Sequence, residues 1–140
     1  MASRLNPYLS FGDNAREALE FYRSVFGGEL NVSTFGDFGQ SGPESNLVMH
    51  GQLETTNGYT IMAADTPPGM DRREGTSITV SLSGDDADGL RGYWDKLSGS
   101  GGQVSMPLEK QGWGDEFGMC VDQFGVPWMI NITGEQNQQA

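Results

Sequence analysis

Apolar residues recur along the chain at two spacings, and the change from one to the other marks out its elements. Over Leu5–Phe11, Leu5, Leu9 and Phe11 alternate with Asn6, Tyr8 and Ser10, the pattern of a strand with one buried face. From Ala15 the period lengthens: Ala15, Ala18, Leu19, Tyr22 and Phe26 recur every three or four positions and predict a helix with one apolar face. Asp13 or Asn14 can cap its first turn, and Gly27-Gly28 ends it, because glycine takes the left-handed conformation after a helix without steric cost. Three strand-like runs follow, Glu29–Phe35, Leu47–Thr55 and Tyr59–Ala64. A Gly/Ser/Pro stretch, Gly36–Ser45, separates the first two, and Asn57-Gly58 between the last two predicts a type I′ hairpin turn.

After a polar, Pro-containing stretch the pattern starts again. Ile78, Val80 and Leu82 alternate with Ser77, Thr79, Ser81 and Ser83; Asp85 or Asp86 caps a helix through Leu97; Gly99–Gly102 ends it. Gln103–Glu109, Phe117–Val121 and Val126–Ile132 then read as strands. Gly12-Asp13-Asn14-Ala15 aligns with Gly84-Asp85-Asp86-Ala87, 72 positions on, and at that offset Phe21-Tyr22 falls on Tyr93-Trp94. Gly58-Tyr59-Thr60-Ile61-Met62 aligns with Gly125-Val126-Pro127-Trp128-Met129, 67 positions on. The pattern predicts one α+β domain built of two βαβββ modules, 4–64 and 76–133, joined by a connector, 65–75. The Gln-rich tail 134–140 has no periodicity and is expected to be disordered.

Composition narrows the chemistry. The 140 residues carry 8 Lys plus Arg against 19 Asp plus Glu, a net charge of -11, so polyanionic nucleic acid and anionic membrane are excluded as partners. A single cysteine, Cys120, cannot form an intramolecular disulfide and reads as a buried small apolar residue in a strand. A single histidine excludes a two-His metal set within one chain, and leaves His50 as the one imidazole for acid–base work. No apolar run approaches ~18 residues, and Met1–Ser10 has neither a basic start nor an apolar core, so neither a membrane span nor a signal peptide is expected and the cytoplasm is the predicted location.

The quoted patterns carry a resemblance. Asn6-Pro7-Tyr8-Leu9-Ser10-Phe11, the helix from Asn14 through Tyr22 with Val25-Phe26-Gly27-Gly28, Met49-His50, Trp113-Gly114, and Asp122-Gln123-Phe124-Gly125-Val126-Pro127-Trp128-Met129 together resemble the vicinal oxygen chelate superfamily. That superfamily includes glyoxalase I, bleomycin-resistance proteins and extradiol dioxygenases, and the likeness is greatest to its PhnB-like family, part of which is described as 3-demethylubiquinone methyltransferase-like. The resemblance implies two curved sheets around a cleft, with the helices outside. It carries no reaction with it, because one scaffold hosts many chemistries. No Gly-rich loop follows a strand and precedes a helix here, so the methyltransferase description finds no cofactor site in the residues.

In metal-dependent members of that superfamily the ion sits on the first and last strands of the modules. Carried over by position, those sites look like Asn6, Ser77, Met62 and Met129, an amide, a hydroxyl and two thioethers, which are poor ligands for hard or borderline divalent ions. No metal or other cofactor is therefore expected. On Leu47–Glu54, alternation predicts Leu47, Met49 and Leu53 toward the helix and His50, Gln52 and Glu54 toward the cleft. His50 reads either as a hydrogen-bonded side chain, as a ligand contact or general base, or as the centre of a metal site with Gln52. Tyr8 and Ser10 are expected to face the cleft, with Met62 and Met129 as its apolar floor and Trp113, between Gly112 and Gly114, as a lining ring. Arg72-Arg73 read as a solvated pair offsetting Asp71 and Glu74, or as a clamp for an anion. The resulting expectation is a homodimeric protein binding a small aromatic or amphipathic molecule without the usual metal. The alternative is a metal-dependent glyoxalase- or dioxygenase-type enzyme centred on His50.

Overall fold

The computed structural model describes residues 3–67, 70, 75 and 77–134. Arg72, Arg73 and most of the expected connector, and residues 135–140 of the tail, lie outside the described residues. The chain divides into two compact units, Met1–Glu74 and Gly75–Ala140. The first runs β1 (Tyr8–Phe11), α1 (Ala15–Phe26), β2 (Glu29–Thr34), β3 (Val48–Glu54), β4 (Thr60–Asp65). The second repeats that order as β5 (Val80–Gly84), α2 (Ala87–Ser98), β6 (Gln103–Lys110), β7 (Glu116–Val121), β8 (Pro127–Ile132). Each unit holds one four-stranded mixed sheet, ordered β1-β4-β3-β2 and β5-β8-β7-β6, with one parallel pair and two antiparallel pairs. The fold is α+β, and among the described residues no helix is long and apolar enough to cross a membrane.

Each helix forms because its apolar positions share a face that a sheet can cover. Ala15, Ala18, Leu19, Tyr22, Val25 and Phe26 of α1 are buried, as are Leu90, Trp94 and Leu97 of α2. The aromatic pairs aligned in the sequence thus each supply one buried ring, Tyr22 and Trp94. A glycine lies on the helix-packed side of each sheet at corresponding positions, Gly51 of β3 and Gly118 of β7. A Cβ on Gly51 would stand 2.3 Å from Leu19 Cδ1, and one on Gly118 would stand 2.9 Å from the Trp94 ring and 2.8 Å from the Leu108 backbone. Absence of a side chain lets helix and strand approach closely in both units.

Four local expectations are corrected. Neither Asp13 nor Asn14 makes a side-chain cap on α1. Its first N–H group, on Ala15, instead donates to Oδ1 of Asp65 at 2.9 Å, and Oδ2 of the same carboxylate accepts from the Val48 N–H at 2.8 Å. Asp65 is thus the buried end of β4 rather than the first residue of a connector. On α2 the expected local cap does form, with Asp86 accepting from the Gly89 N–H at 3.2 Å.

The Asn57-Gly58 turn is not type I′. Gly58 has φ +86, but Asn57 is not among the positive-φ residues, as type I′ would require. Thr55 accepts from the Gly58 N–H at 3.0 Å and its own N–H donates to Tyr59 at 2.8 Å, a three-residue loop with glycine in the left-handed position. Asp122 and Gly125 repeat the arrangement at 3.0 Å, and the Asp122 N–H donates to Val126 at 2.9 Å.

In β3, Ser33 opposes His50 while Thr34 opposes Val48, so Met49 is an extra residue in that strand. The bulge turns Val48 into the core, where Leu47 and Met49 were expected, and leaves both of those half-exposed. A similar slip distinguishes the units. Phe11 accepts from the Thr66 N–H and Gly84 from the Thr133 N–H, at 2.7 and 2.8 Å, so the first strands correspond 73 positions apart while the helices start 72 apart.

Asp65→Asn is expected to destabilise the fold by about 2 kcal/mol, because the amide offers an N–H toward one of two backbone donors. An unchanged urea midpoint would remove Asp65 from its bridging role. Gly118→Ala is expected to cost about 1–3 kcal/mol, and Gly51→Ala less, since the added methyl meets rigid backbone in one case and the end of a leucine in the other. Denaturation of the two variants side by side checks the order.

Candidate functional site

Because successive strand side chains point to opposite faces, the register of the first sheet separates a helix-covered side from a free one. Phe11, Leu53, Ile61 and Ala63 are buried on the α1 side. On the other side the row Tyr8, Met62, Gln52, Asn31 crosses all four strands as consecutive Cα partners. Ser10 stands beside Ala64, Ser33 beside His50, and Glu54 between Glu29 and Thr60. Five residues expected at the site, Tyr8, Ser10, His50, Gln52 and Met62, therefore share this face.

A chain of hydrogen bonds runs across it. Tyr8 Oη lies 3.3 Å from His50 Nδ1, with ring centroids 5.7 Å apart. Nε2 of His50 lies 3.5 Å from Gln52 Oε1, the amide nitrogen of Gln52 donates to Glu54 Oε2, and the Thr60 hydroxyl donates to Glu54 Oε1 at 2.5 Å. The bond from Thr60, then that from Gln52, hold the Glu54 carboxyl below its ordinary value against some opposition from burial, with the smallest pull from Arg4. Thr60 and the partnership of Glu54 were not foreseen as site features. The alternation of β3 places Glu54 on the face and that of β4 places Thr60 there with Met62, but the two become direct partners only through the register that the Thr55–Tyr59 loop imposes.

The second sheet presents a softer surface. Ser81, Met129, Met119 and Met106 oppose one another in a row across β5, β8, β7 and β6, and Asn131 opposes Phe117. Trp113 sits in the β6–β7 loop, half exposed, with its ring 6.1 Å from that of Phe117 in an edge-on arrangement. Met119 and Met106 were not anticipated, although Met119 has the same parity relative to the buried Cys120 and Gly118 as Met129 has to Trp128 and Ile130. On the helix side, Trp128 donates to Asp122 at 2.9 Å. Burial, and secondarily Asp122, push the Cys120 thiol up to about 11, which makes it a packing residue rather than a nucleophile.

This repeated architecture is matched by a family model, the Glyoxalase/Bleomycin resistance protein/Dioxygenase superfamily, over residues 4–130. The chain belongs to that superfamily. It is 28% identical to the protein YjdN of Escherichia coli, with 96% of this chain and 99% of the relative aligned. Among solved structures it is similar to protein PA1353 of Pseudomonas aeruginosa, with a TM-score of 0.83, 32% identity, and coverage of 94% of this chain and 98% of that one. The PhnB protein of Bacillus cereus superposes with a TM-score of 0.75 at 23% identity over 94% and 100% of the two chains. The fosfomycin resistance protein FosX of Listeria monocytogenes, solved with Mn(II) and sulfate, superposes with a TM-score of 0.62 at 12% identity over 99% and 98%. At those two identities the likeness is one of fold.

The described residues at the positions considered do not fit a divalent ion of the kind FosX holds. Asn6, Ser77, Met62 and Met129 offer neither imidazole nor carboxylate. The one imidazole and the nearby Glu54 already use both ring nitrogens and both carboxylate oxygens in the chain from Tyr8 to Thr60. Among the described residues no three His, Cys, Asp or Glu side chains are grouped closely enough to share an ion.

A depressed carboxyl stabilises the fold above its unfolded pKa, and that contribution is lost as pH falls through the folded value. Thr60→Val is expected to raise the Glu54 pKa and move the loss to higher pH. Carboxyl-carbon NMR titration of the two proteins checks this, and an unmoved Glu54 would remove Thr60 as the cause.

Proposed function

We propose that the chain binds a small aromatic or amphipathic molecule on a helix-free sheet face, without a resident divalent metal. One observation carries the reading: each sheet leaves one side uncovered by its helix, and those sides present thioethers and aromatic rings beside ordered polar groups. Met62 on the first sheet, and Met119 and Met129 on the second, each give their own face a polarizable surface that adapts to a flat ligand, and Tyr8 on the first and Trp113 beside the second add ring area at low entropic cost. Gln52 and Ser10 supply polar contacts at the margin. His50, with both nitrogens engaged, holds Tyr8 in place in this reading rather than taking a proton from substrate. Open sheets in a 140-residue chain also favour a homodimer, and the cytoplasm is its proposed location.

The rival reading, a metal-dependent glyoxalase- or dioxygenase-type enzyme centred on His50, rests on the Mn(II) held by FosX. Metal analysis of protein purified without chelators separates the two. Binding alone predicts substoichiometric Mn, Fe, Ni and Zn, unchanged in His50→Ala; a full equivalent that disappears in that variant would establish the enzyme reading. Trp94 and Trp128 are buried, so Trp113 is the ring placed to report a ligand. Quenching by a small aromatic probe is expected in the native chain and lost in Trp113→Phe. Retention of the full signal would exclude Trp113 from the contact. Light scattering reads the dimer directly.

A further inference from the structure

We infer that the hydrogen-bond chain on the first sheet has a single polarity, and that it makes Tyr8 an acceptor that selects ligands with a hydrogen-bond-donating head group. The inference rests on the binding reading above and names the chemical class of its ligand.

The polarity follows from the far end. A carboxylate only accepts, and both oxygens of Glu54 are occupied by donors, the Thr60 hydroxyl and the Gln52 amide nitrogen. That orientation of Gln52 turns its carbonyl, which also only accepts, toward His50 Nε2. Nε2 must therefore carry the imidazole proton. In a neutral imidazole the other nitrogen is then the acceptor, so Nδ1 receives the phenol proton of Tyr8 across 3.3 Å. The single proton of Tyr8 is directed to His50, and the hydroxyl of this half-exposed residue shows a ligand only lone pairs.

A head group that meets Tyr8 has to donate. An alcohol, a phenol or an amine satisfies it, whereas an ether or carboxylate sets acceptor against acceptor. Charge acts in the same direction. Glu29 and Glu54 are direct partners on this face, and the chain carries a net charge of -11, so an ammonium is drawn in and a carboxylate repelled. The class that fits is an aromatic or amphipathic amine or alcohol.

The single histidine makes the test direct, because its ring nitrogens give one set of signals in a long-range proton–nitrogen NMR spectrum of the full chain. The Nε2–H tautomer is expected in the native protein, and a mixture in Glu54→Gln, where the Gln52 amide is released to turn over. A native Nδ1–H tautomer would overturn the polarity whether or not any ligand binds. Two matched pairs of probes then test selection: phenethylamine against 3-phenylpropionate, and 2-phenylethanol against its methyl ether. The donor of each pair is expected to bind about tenfold more tightly, and Tyr8→Phe to remove the preference between alcohol and ether. Equal or reversed preference with the Nε2–H tautomer present would overturn the selection alone. Absence of binding by all four probes would remove both the selection and the small-aromatic reading, while leaving the tautomer result in force.

Discussion

The first unit depends on where one buried carboxylate lies. Asp65 closes β4, and its two oxygens bind the first N–H group of α1 and the first of β3. Three elements distant in sequence are thereby tied at one point, and the start of α1 is fixed relative to β3 so that Leu19 comes down on Gly51. Loss of either bond would leave a buried backbone donor without its anion, which is why so small a contact governs so much. In the second unit Ile132 stands where Asp65 does in the first, 67 positions on, and α2 is capped locally by Asp86. The first unit joins its helix to its sheet through a buried carboxylate, whereas in the second the buried Asp122 accepts from the Trp128 ring and α2 is capped from within its own sequence.

The two units share their covered sides and differ on their free ones. Gly51 and Gly118 occupy the same place beneath their helices, and Thr55 and Asp122 open the same loop. Across the free sides, the first unit has Tyr8, Met62, Gln52 and Asn31 where the second has Ser81, Met129, Met119 and Met106. Packing constrains the former set in the same way twice. Nothing in the backbone requires the latter to agree, and a polar hydrogen-bonded surface in one unit corresponds to a thioether surface in the other.

Much of this was legible in the sequence because it rests on period. The helices of residues 15–26 and 87–98, the succession of elements along the chain and the duplication all follow from apolar spacing, and the parity of β3 places His50, Gln52 and Glu54 together. What escaped involves contacts between residues far apart in sequence. Asp65 looks like a loop aspartate until β4 is paired with β1, and no local pattern reveals that it caps a helix 50 positions earlier. The inward side chain of β3 before His50 was misassigned because alternation assumes an unbroken ladder. The Asn-Gly pair indicates a turn, but the extra residue in the loop changes its type. Met119 could have been found by applying to β7 the parity argument used on β3.

The bulge at Met49 has a consequence of its own. It acts as a phase slip in the alternation, so that Val48 and His50, two positions apart, serve opposite sides of the sheet. The residues before the bulge are thus out of phase with Gln52 and Glu54 beyond it. A change at Val48 therefore alters the core, whereas a change at His50 alters the helix-free face two positions on.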